Sequence, residues 1–258
     1  MHDMADMRDG QSREAASGEE SAVLPIDESR LAMMRRIKRL PVAERIRLLD
    51  RMCREQTQVA VRLTELCARG PRPGSARGTS GRADPGRGPR AQSSVSRPQR
   101  ELRLIELLRS LRDHRVEHVV FGAVAVAFYG HVRGTADLDI VVRPTQDNLG
   151  RVHDWLVSVD AHLKGRPERR FGPRERRGML KGSNATVLTN LGQVDVVQEI
   201  PGLPAWDHLV AESERYELEN LTVTVMARST LIALKRRRSS HLDLADIEAI
   251  EMLDRLDD

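Results

Sequence analysis

The chain has 258 residues, of which 40% are hydrophobic and 31% are charged, a composition typical of a folded protein with one or two small domains. Aromatic residues make up only 3%, which argues against a base-stacking platform for single-stranded nucleic acid. The net charge is +4, but residues 69–100 hold eight Arg and one Asp, whereas residues 101–258 carry a balance of −3. The charge therefore gives no indication of a DNA-binding domain.

The distribution of apolar residues and cysteines favours a cytoplasmic protein without a membrane partner. The first twenty residues lack the apolar core of a signal peptide, and no run approaches the ~20 apolar residues of a membrane span. Cys53 and Cys67 fall in one helical stretch, where their Cα atoms would lie ~21 Å apart, too far for a disulfide. Two reduced thiols are the expected state.

Composition divides the chain into four segments. Residues 1–29 are polar and predicted to be disordered, and residues 69–100, rich in Arg, Gly, Pro and Ser, are predicted to be a flexible linker. Residues 30–68 have apolar residues at helical spacing, with Pro41 dividing a short helix from a longer one. This helical segment either packs on the main domain or on a partner, or forms the DNA-facing arm of a regulator, which the charge balance of 0 over residues 1–68 does not support.

The main domain, residues 101–258, is predicted to have an α+β fold with a mixed β-sheet flanked by helices. Its predicted elements, in chain order, are a helix around 102–111, a strand at 118–121, a short helix at 123–129, a strand at 138–142, a helix at 149–159, a basic loop at 163–183, a hairpin of strands 186–189 and 193–197, a hairpin of strands 216–218 and 221–226, a helix ending at 238 with Ser229 as its N-cap, and a final helix around 244–253.

The sequence Asp137-Leu138-Asp139 at the start of a predicted strand carries the strongest chemical signal. On a strand, residues i and i+2 face the same side ~6.7 Å apart, so the two carboxylates point together while Leu138 points into the core. Their mutual repulsion favours a bound proton or a hard divalent cation, above all Mg²⁺. The alternative is a strand end exposed to solvent.

Two further positions extend this pattern. Gly122 lies between a strand and a short helix, where glycine lets the backbone approach a phosphate and the helix N-terminus offers free N–H groups. Asp195 is a lone carboxylate between valines on a strand predicted to be central, an unfavourable place for an acid that has no cation or other partner. The alternatives are an ordinary strand-to-helix turn and a surface edge strand.

Taken in order, these motifs resemble the signature of the DNA polymerase beta-like nucleotidyltransferases. That signature has Gly-Gly or Gly-Ser, then Asp-x-Asp or Asp-x-Glu, and later a third acid; the corresponding stretches here are Phe121-Gly122-Ala123, Arg133-Gly134-Thr135, Asp137-Leu138-Asp139 and Asp195. The similarity covers roughly residues 101–254 and is closest to small bacterial members of toxin–antitoxin and abortive-infection systems. Residues 194–203, 231–235 and 243–247 also look like those proteins.

The resemblance implies a minimal nucleotidyltransferase fold and an enzyme that transfers a nucleoside monophosphate from ATP or another NTP to a hydroxyl of RNA, such as tRNA, or of a partner protein. A cognate toxin or antitoxin is an implied partner. Asp137, Asp139 and Asp195 would be the catalytic acids and would hold two Mg²⁺ ions ~3.5–4 Å apart. The implied contacts to the nucleotide are Gly122, Ala123, Arg133, Thr135 and Lys235.

Two positions depart from the family pattern. Ala123 stands where the family has Gly or Ser, and Leu242 stands where members often carry Lys. The alternative function is therefore a catalytically degenerate nucleotide-binding or partner-binding module of the same fold. For Arg133 and Lys235 the alternatives to phosphate contact are a solvated loop charge and a solvated helix face.

The predicted basic loop also leaves two interpretations open. Lys164–Lys181 holds eight basic and two acidic residues, and could guide an acidic acceptor such as tRNA or the triphosphate itself. A mobile, solvated loop explains the same composition equally well.

Overall fold

The computed structural model describes residues 28–68, 101–166, 168–182 and 184–255. Of the residues predicted to be disordered, 1–27 lie outside these ranges, as does the linker predicted for residues 69–100, whereas Glu28 and Ser29 belong to the first helix. The described residues form nine helices and seven strands. The helices are α1 (Glu28–Lys38), α2 (Val42–Ala68), α3 (Leu104–Asp113), α4 (Gly122–Phe128), α5 (Gln146–Ser158), α6 (Pro173–Met179), α7 (Trp206–Glu212), α8 (Arg228–Arg238) and α9 (His241–Asp254). The strands are β1 (His118–Phe121), β2 (Asp137–Val142), β3 (His162–Leu163), β4 (Ala185–Thr189), β5 (Gly192–Val197), β6 (Glu214–Leu218) and β7 (Leu221–Val225).

The seven strands form one mixed sheet in the order β3-β4-β5-β2-β1-β7-β6. β2 runs parallel to β5, and β1 runs parallel to β7, while all other neighbours are antiparallel. Both predicted hairpins, β4–β5 and β6–β7, are present, and β5 is internal as predicted. The structure thus confirms the predicted mixed sheet flanked by helices.

The alternating side chains of β2 determine which face of the sheet carries the candidate functional residues. Leu138 and Ile140 are fully buried on one face, in the hydrophobic core. Asp137 and Asp139 lie half-buried on the other, because successive side chains of a strand point to opposite faces. We name the side that carries these carboxylates the acid face.

The N-terminal helices belong to the same core as the sheet. α1 ends and α2 begins around Pro41, as predicted, and Ile46, Leu49 and Cys53 of α2 are fully buried in the main hydrophobic cluster. Met34 of α1 packs in a smaller cluster formed with α9. The helical segment therefore packs on the main domain.

The segment predicted as a basic loop at 163–183 is only partly a loop. β3 pairs with β4, and α6 begins at Pro173, which is well suited to the first helical position because it has no N–H to satisfy. Met179 is the buried residue of α6, and Arg169 forms an ion pair of 2.6 Å with Glu175. A seven-residue helix with so little apolar surface has no periodicity from which it could be predicted.

Two other helix boundaries differ from prediction. α8 begins at Arg228 with Ala227 at the N-cap, so Ser229 does not cap it. α7 was not predicted, and Leu209 is its buried residue. By contrast, Ser240 caps α9, because its hydroxyl accepts a hydrogen bond from the Asp243 N–H at 3.2 Å. None of the helices in the described ranges is long and apolar enough to cross a membrane.

We expect Leu49→Ala to decrease the free energy of unfolding by about 2–5 kcal/mol, because it leaves a cavity under a fully buried side chain. Val59→Ala in the same helix is the matched control: Val59 is 57% exposed, so its loss should change stability by less than about 0.5 kcal/mol. Urea unfolding followed by circular dichroism measures both. Equal stability of the two variants would show that α2 is not part of the core.

Candidate functional site

Strand register brings two of the three predicted acids side by side. In the parallel pair β2–β5, Asp139 lies opposite Asp195, and Asp137 lies opposite Gln193. Residues directly opposite each other in a sheet share a face, so Asp195 joins the acid face. Thr186 of β4 is opposite Asp195, and Phe121 of β1 is opposite Asp139, which continues the row across four strands.

Asp137 is held by two neutral hydrogen-bond donors. The Thr135 hydroxyl donates to its Oδ1 at 3.0 Å, and the Gln193 side-chain amide donates from Nε2 to its Oδ2 at 3.1 Å. Thr135 and Gln193 are both buried. Asp137 is thus oriented by its own loop and by the neighbouring strand.

Asp139 is the most perturbed of the acids. Burial, together with the charges of Asp137 and Asp195, raises its pKa to about 7, against the opposing effect of Arg238 and Lys235. At neutral pH this carboxyl is therefore poised between holding a proton and receiving a cation.

Gly122 lies directly against Asp139. Its φ of +67° favours glycine, and a Cβ at this position would overlap the Asp139 Oδ2 atom and lie 2.7 Å from Cγ. A side chain at residue 122 would therefore displace the carboxylate. The predicted importance of Gly122 has this steric basis, in addition to any backbone contact to a ligand.

Asp195 is only partly satisfied by the protein. Its Oδ1 is buried and has no hydrogen-bond partner among the residues that the structure describes. Burial raises its pKa, an effect opposed by a hydrogen bond from Thr186 and by the charges of Lys164 and Arg238. A buried carboxylate oxygen without a partner is costly, and a proton or a cation would relieve that cost.

The three acids share a face without closing around one point. Within the described ranges, no group of three or more His, Cys, Asp or Glu side chains is placed so that it could hold a metal ion. Asp137 is directed to Thr135 and Gln193, whereas Asp139 and Asp195 adjoin a cavity.

This cavity, of about 430 Å³, lies between the acid face and α8. Gly122, Asp139 and Asp195 line one side, and Lys235 and Arg238 line the other. An apolar part is lined by Ile200, Leu231 and Leu234. Its size and mixed lining suit a small molecule with both an anionic and an apolar part.

Lys235 does not lie on a solvated helix face, which corrects one of the alternatives considered for it. It is 5% exposed, and its Nζ donates to Asp243 Oδ1 at 3.1 Å and to Asp246 Oδ2 at 2.7 Å. Asp246 is completely buried. The lysine therefore joins α8 to α9 while still lining the cavity.

Arg133 reaches the same carboxylate from the loop before β2. Its Nε and Nη2 donate to the two oxygens of Asp246, each at 2.7 Å, a bidentate geometry. Burial alone would raise the pKa of Asp246, but the hydrogen bonds from Arg133 and Lys235 outweigh it and hold the pKa below its usual value. The roles predicted for Arg133, Thr135 and Lys235 at the nucleotide stay predictions, since each of these side chains already has a protein partner.

The remaining positions singled out in the sequence are placed as follows. Ala123 is 7% exposed within α4, and Leu242 is 63% exposed at the start of α9. Gln193 and Asp246 were not predicted as site residues. Gln193 could have been found, because it precedes Asp195 by two residues on the same strand.

Comparisons with known proteins leave the family open. No protein-family model and no curated protein matches the chain. Among solved structures, similarity is found to the antibiotic-resistance factor ANT(2'')-Ia, at 11% identity and a TM-score of 0.39, over 58% of this chain and 79% of that one. A nucleotidyltransferase-like protein from Paracoccidioides brasiliensis gives 17% and 0.38, over 58% and 73%. A candidate nucleotidyltransferase from Thermotoga maritima gives 14% and 0.33, over 59% and 89%. These values are too low to support an argument about function.

We expect Asp139→Asn to stabilise the metal-free protein at pH 7.5 by on the order of 1–2 kcal/mol, because it removes a desolvated charge. The pKa of Asp139 is raised from 3.8 to about 7, so the wild type loses stability as pH rises across that window. The advantage of the variant should therefore disappear near pH 4.

Thermal unfolding in EDTA at several pH values measures this difference. Asp207→Asn is the control, because the Asp207 side chain is 91% exposed and its substitution should change stability little at any pH. An Asp139→Asn variant less stable than wild type at pH 7.5 would contradict the proposed strain at the acid face.

Proposed function

We propose that the protein is a Mg²⁺-dependent nucleotidyltransferase that transfers a nucleoside monophosphate from an NTP to a hydroxyl of RNA or of a partner protein. The observation that carries the proposal is the pairing of Asp139 with Asp195 on adjacent internal strands, next to a cavity that is also lined by Lys235, Arg237 and Arg238 together with Asp243. The order of Gly122, Asp137, Asp139 and Asp195 along the chain, which resembles the nucleotidyltransferase signature, supports the same function.

The donor atoms of the acid face fit a hard divalent cation. All are oxygens, the Oδ1 of Asp195 is buried without a partner among the described residues, and burial together with the charges of Asp137 and Asp195 raises the pKa of Asp139. We assign Asp137, Asp139 and Asp195 as the residues that would hold Mg²⁺. When bound, the metal supplies charge neutralisation for the triphosphate and lowers the pKa of the acceptor hydroxyl.

The cavity is the proposed nucleotide site. Arg238 is the cation proposed to contact phosphate oxygens, because its side chain is 69% exposed and pairs with one carboxylate, Asp243, at 3.4 Å, whereas Lys235 is buried and donates to two. Ile200, Leu231 and Leu234 offer an apolar surface to the nucleoside. Backbone groups at Gly122 and Ala123 remain the proposed contacts to the outer phosphates.

In the proposed reaction the acceptor oxygen forms a bond to the α-phosphorus, and the bond from that phosphorus to the bridging oxygen of the β-phosphate breaks. Pyrophosphate leaves, and the hydroxyl proton must be removed. We propose Asp195 as its acceptor, because this carboxylate lines the cavity beside Asp139.

A second candidate function is a nucleotide-binding or partner-binding module without turnover. Arg133 and Lys235 are both bonded to Asp246, and the described acids do not gather into a group of three that could hold a metal. Both observations favour this candidate. The bacterial proteins that the motifs resemble lead us to propose a cognate toxin or antitoxin as the partner in either case.

Incubation of the full chain with Mg²⁺, each α-labelled NTP, bulk tRNA and cell-lysate protein tests the proposal. We expect label on RNA or protein with the wild type and with Asp207→Ala, and none with Asp137→Ala/Asp139→Ala. Label would identify the acceptor class. NTP binding by calorimetry without label on any acceptor would favour the binding module.

Gly122→Ala tests the steric role of the glycine. The new methyl group should displace the Asp139 carboxylate and decrease transfer at least ~100-fold, the scale expected when a catalytic group moves by about 1 Å. Gly178→Ala is the matched control, because a Cβ there meets no atom within 4 Å. Rates from the labelling assay, with thermal unfolding as a check on folding, measure both. Unchanged transfer in Gly122→Ala would show that Asp139 need not keep its position.

A further inference from the structure

Gln193 is a buried polar residue of the acid face to which the proposed reaction gives no role. It lies opposite Asp137 in the β2–β5 pair and is 4% exposed. Its Nε2 donates to Asp137 Oδ2 at 3.1 Å, while its Oε1 is buried and has no hydrogen-bond partner in the described part of the chain. A buried acceptor left unsatisfied costs about 1–3 kcal/mol.

The orientation of this amide is determined by its neighbour. A rotation of the amide by 180° would place Oε1 against the Asp137 carboxylate and would lose the only hydrogen bond that Nε2 makes within the described ranges. The oxygen is therefore the end of the amide that is left for a further partner, and that partner must be a donor or a cation.

A second buried oxygen without a partner lies close by. Asp195 follows Gln193 by two residues on β5, so both side chains are on the acid face with Cα atoms ~6.7 Å apart. The two unsatisfied oxygens, Gln193 Oε1 and Asp195 Oδ1, thus belong to residues on one face of β5 that lie opposite Asp137 and Asp139 of β2.

We infer that Gln193 Oε1 is a direct ligand of the divalent cation bound at the acid face. Amide oxygens are ordinary ligands of hard cations. Asp139 already experiences the charges of Asp137 and Asp195, and a neutral ligand adds a metal contact without adding a fourth negative charge. The amide oxygen also adds a ligand to the acid face. Within the described residues, His, Cys, Asp and Glu side chains alone form no group of three that could hold a metal ion.

This inference rests on the proposed function in one respect, which is that the acid face binds a cation. Its test does not require catalytic turnover. Calorimetry with Mn²⁺ alone, on the full chain, gives the affinity directly. We expect Gln193→Met, of similar length and without the oxygen, to weaken Mn²⁺ binding at least ~10-fold. Gln198→Met is the matched control, because Gln198 is a buried glutamine near the end of β5 whose amide donates to the Met179 carbonyl, and it should bind as wild type does.

Gln193→Glu separates a ligand from a residue that only orients Asp137. The substitution keeps a side-chain oxygen and removes the N–H that donates to Asp137. A ligand role predicts binding as tight as in the wild type or tighter, whereas loss of affinity equal to that of Gln193→Met would overturn it. Unchanged affinity in Gln193→Met would also overturn it, with thermal unfolding in EDTA confirming that each variant is folded.

The two proposals fail in different ways. Mn²⁺ binding that depends on Gln193, in a protein that labels no acceptor, would support the ligand and reject the transferase. Transfer by a wild type whose Mn²⁺ affinity does not depend on Gln193 would keep the transferase and reject the ligand. A wild type that binds no Mn²⁺ would overturn both.

Discussion

The electrostatic strain between Asp139 and Asp195 is the constraint on which the rest of the site depends. Internal parallel strands normally carry apolar residues on both faces, yet here register sets two half-buried carboxylates opposite each other. Burial raises the pKa of both groups, and neighbouring carboxylates raise it further, namely Asp137 and Asp195 at Asp139, and Asp137 at Asp195. The space around the Asp139 carboxylate is restricted further, because the backbone of Gly122 lies directly against it. This arrangement costs stability in the free protein, and a cation at the acid face would offset that cost. We therefore interpret the paired carboxylates as a functional feature.

A second group of charged residues, centred on Asp246, holds together the elements around the acid face. Asp246 is fully buried and receives hydrogen bonds from Arg133 and Lys235, so one carboxylate joins the loop before β2 to α8 and α9. Lys235 also donates to Asp243 at the start of α9. The network balances its own charges, which explains how two cations can lie near the acids without fully relieving them.

Much of the fold was predictable because the signals were local. The alternation in β2, the two hairpins and the division at Pro41 follow from periodicity and turn chemistry, and the structure confirms them. α6 and α7 were missed because each has seven residues and a single buried residue. In the site, the three acids could be singled out individually, but the register that sets Asp139 against Asp195 is a long-range property. The same holds for Asp246, whose partners lie 113 and 11 residues away along the chain. The roles of the site residues themselves stay predictions.

The burial of Ile46, Leu49 and Cys53 has a consequence for how the chain can be divided. Residues 69–100 separate α2 from α3 in the sequence, yet apolar residues on both sides of this segment share one hydrophobic cluster. A cut of the backbone in that segment would leave these contacts in place, so the two pieces should stay associated as a noncovalent complex. Either piece alone would expose the apolar surface that the other covers. The N-terminal helices thus complete the hydrophobic core of the domain, although the sequence separates them from the rest of it.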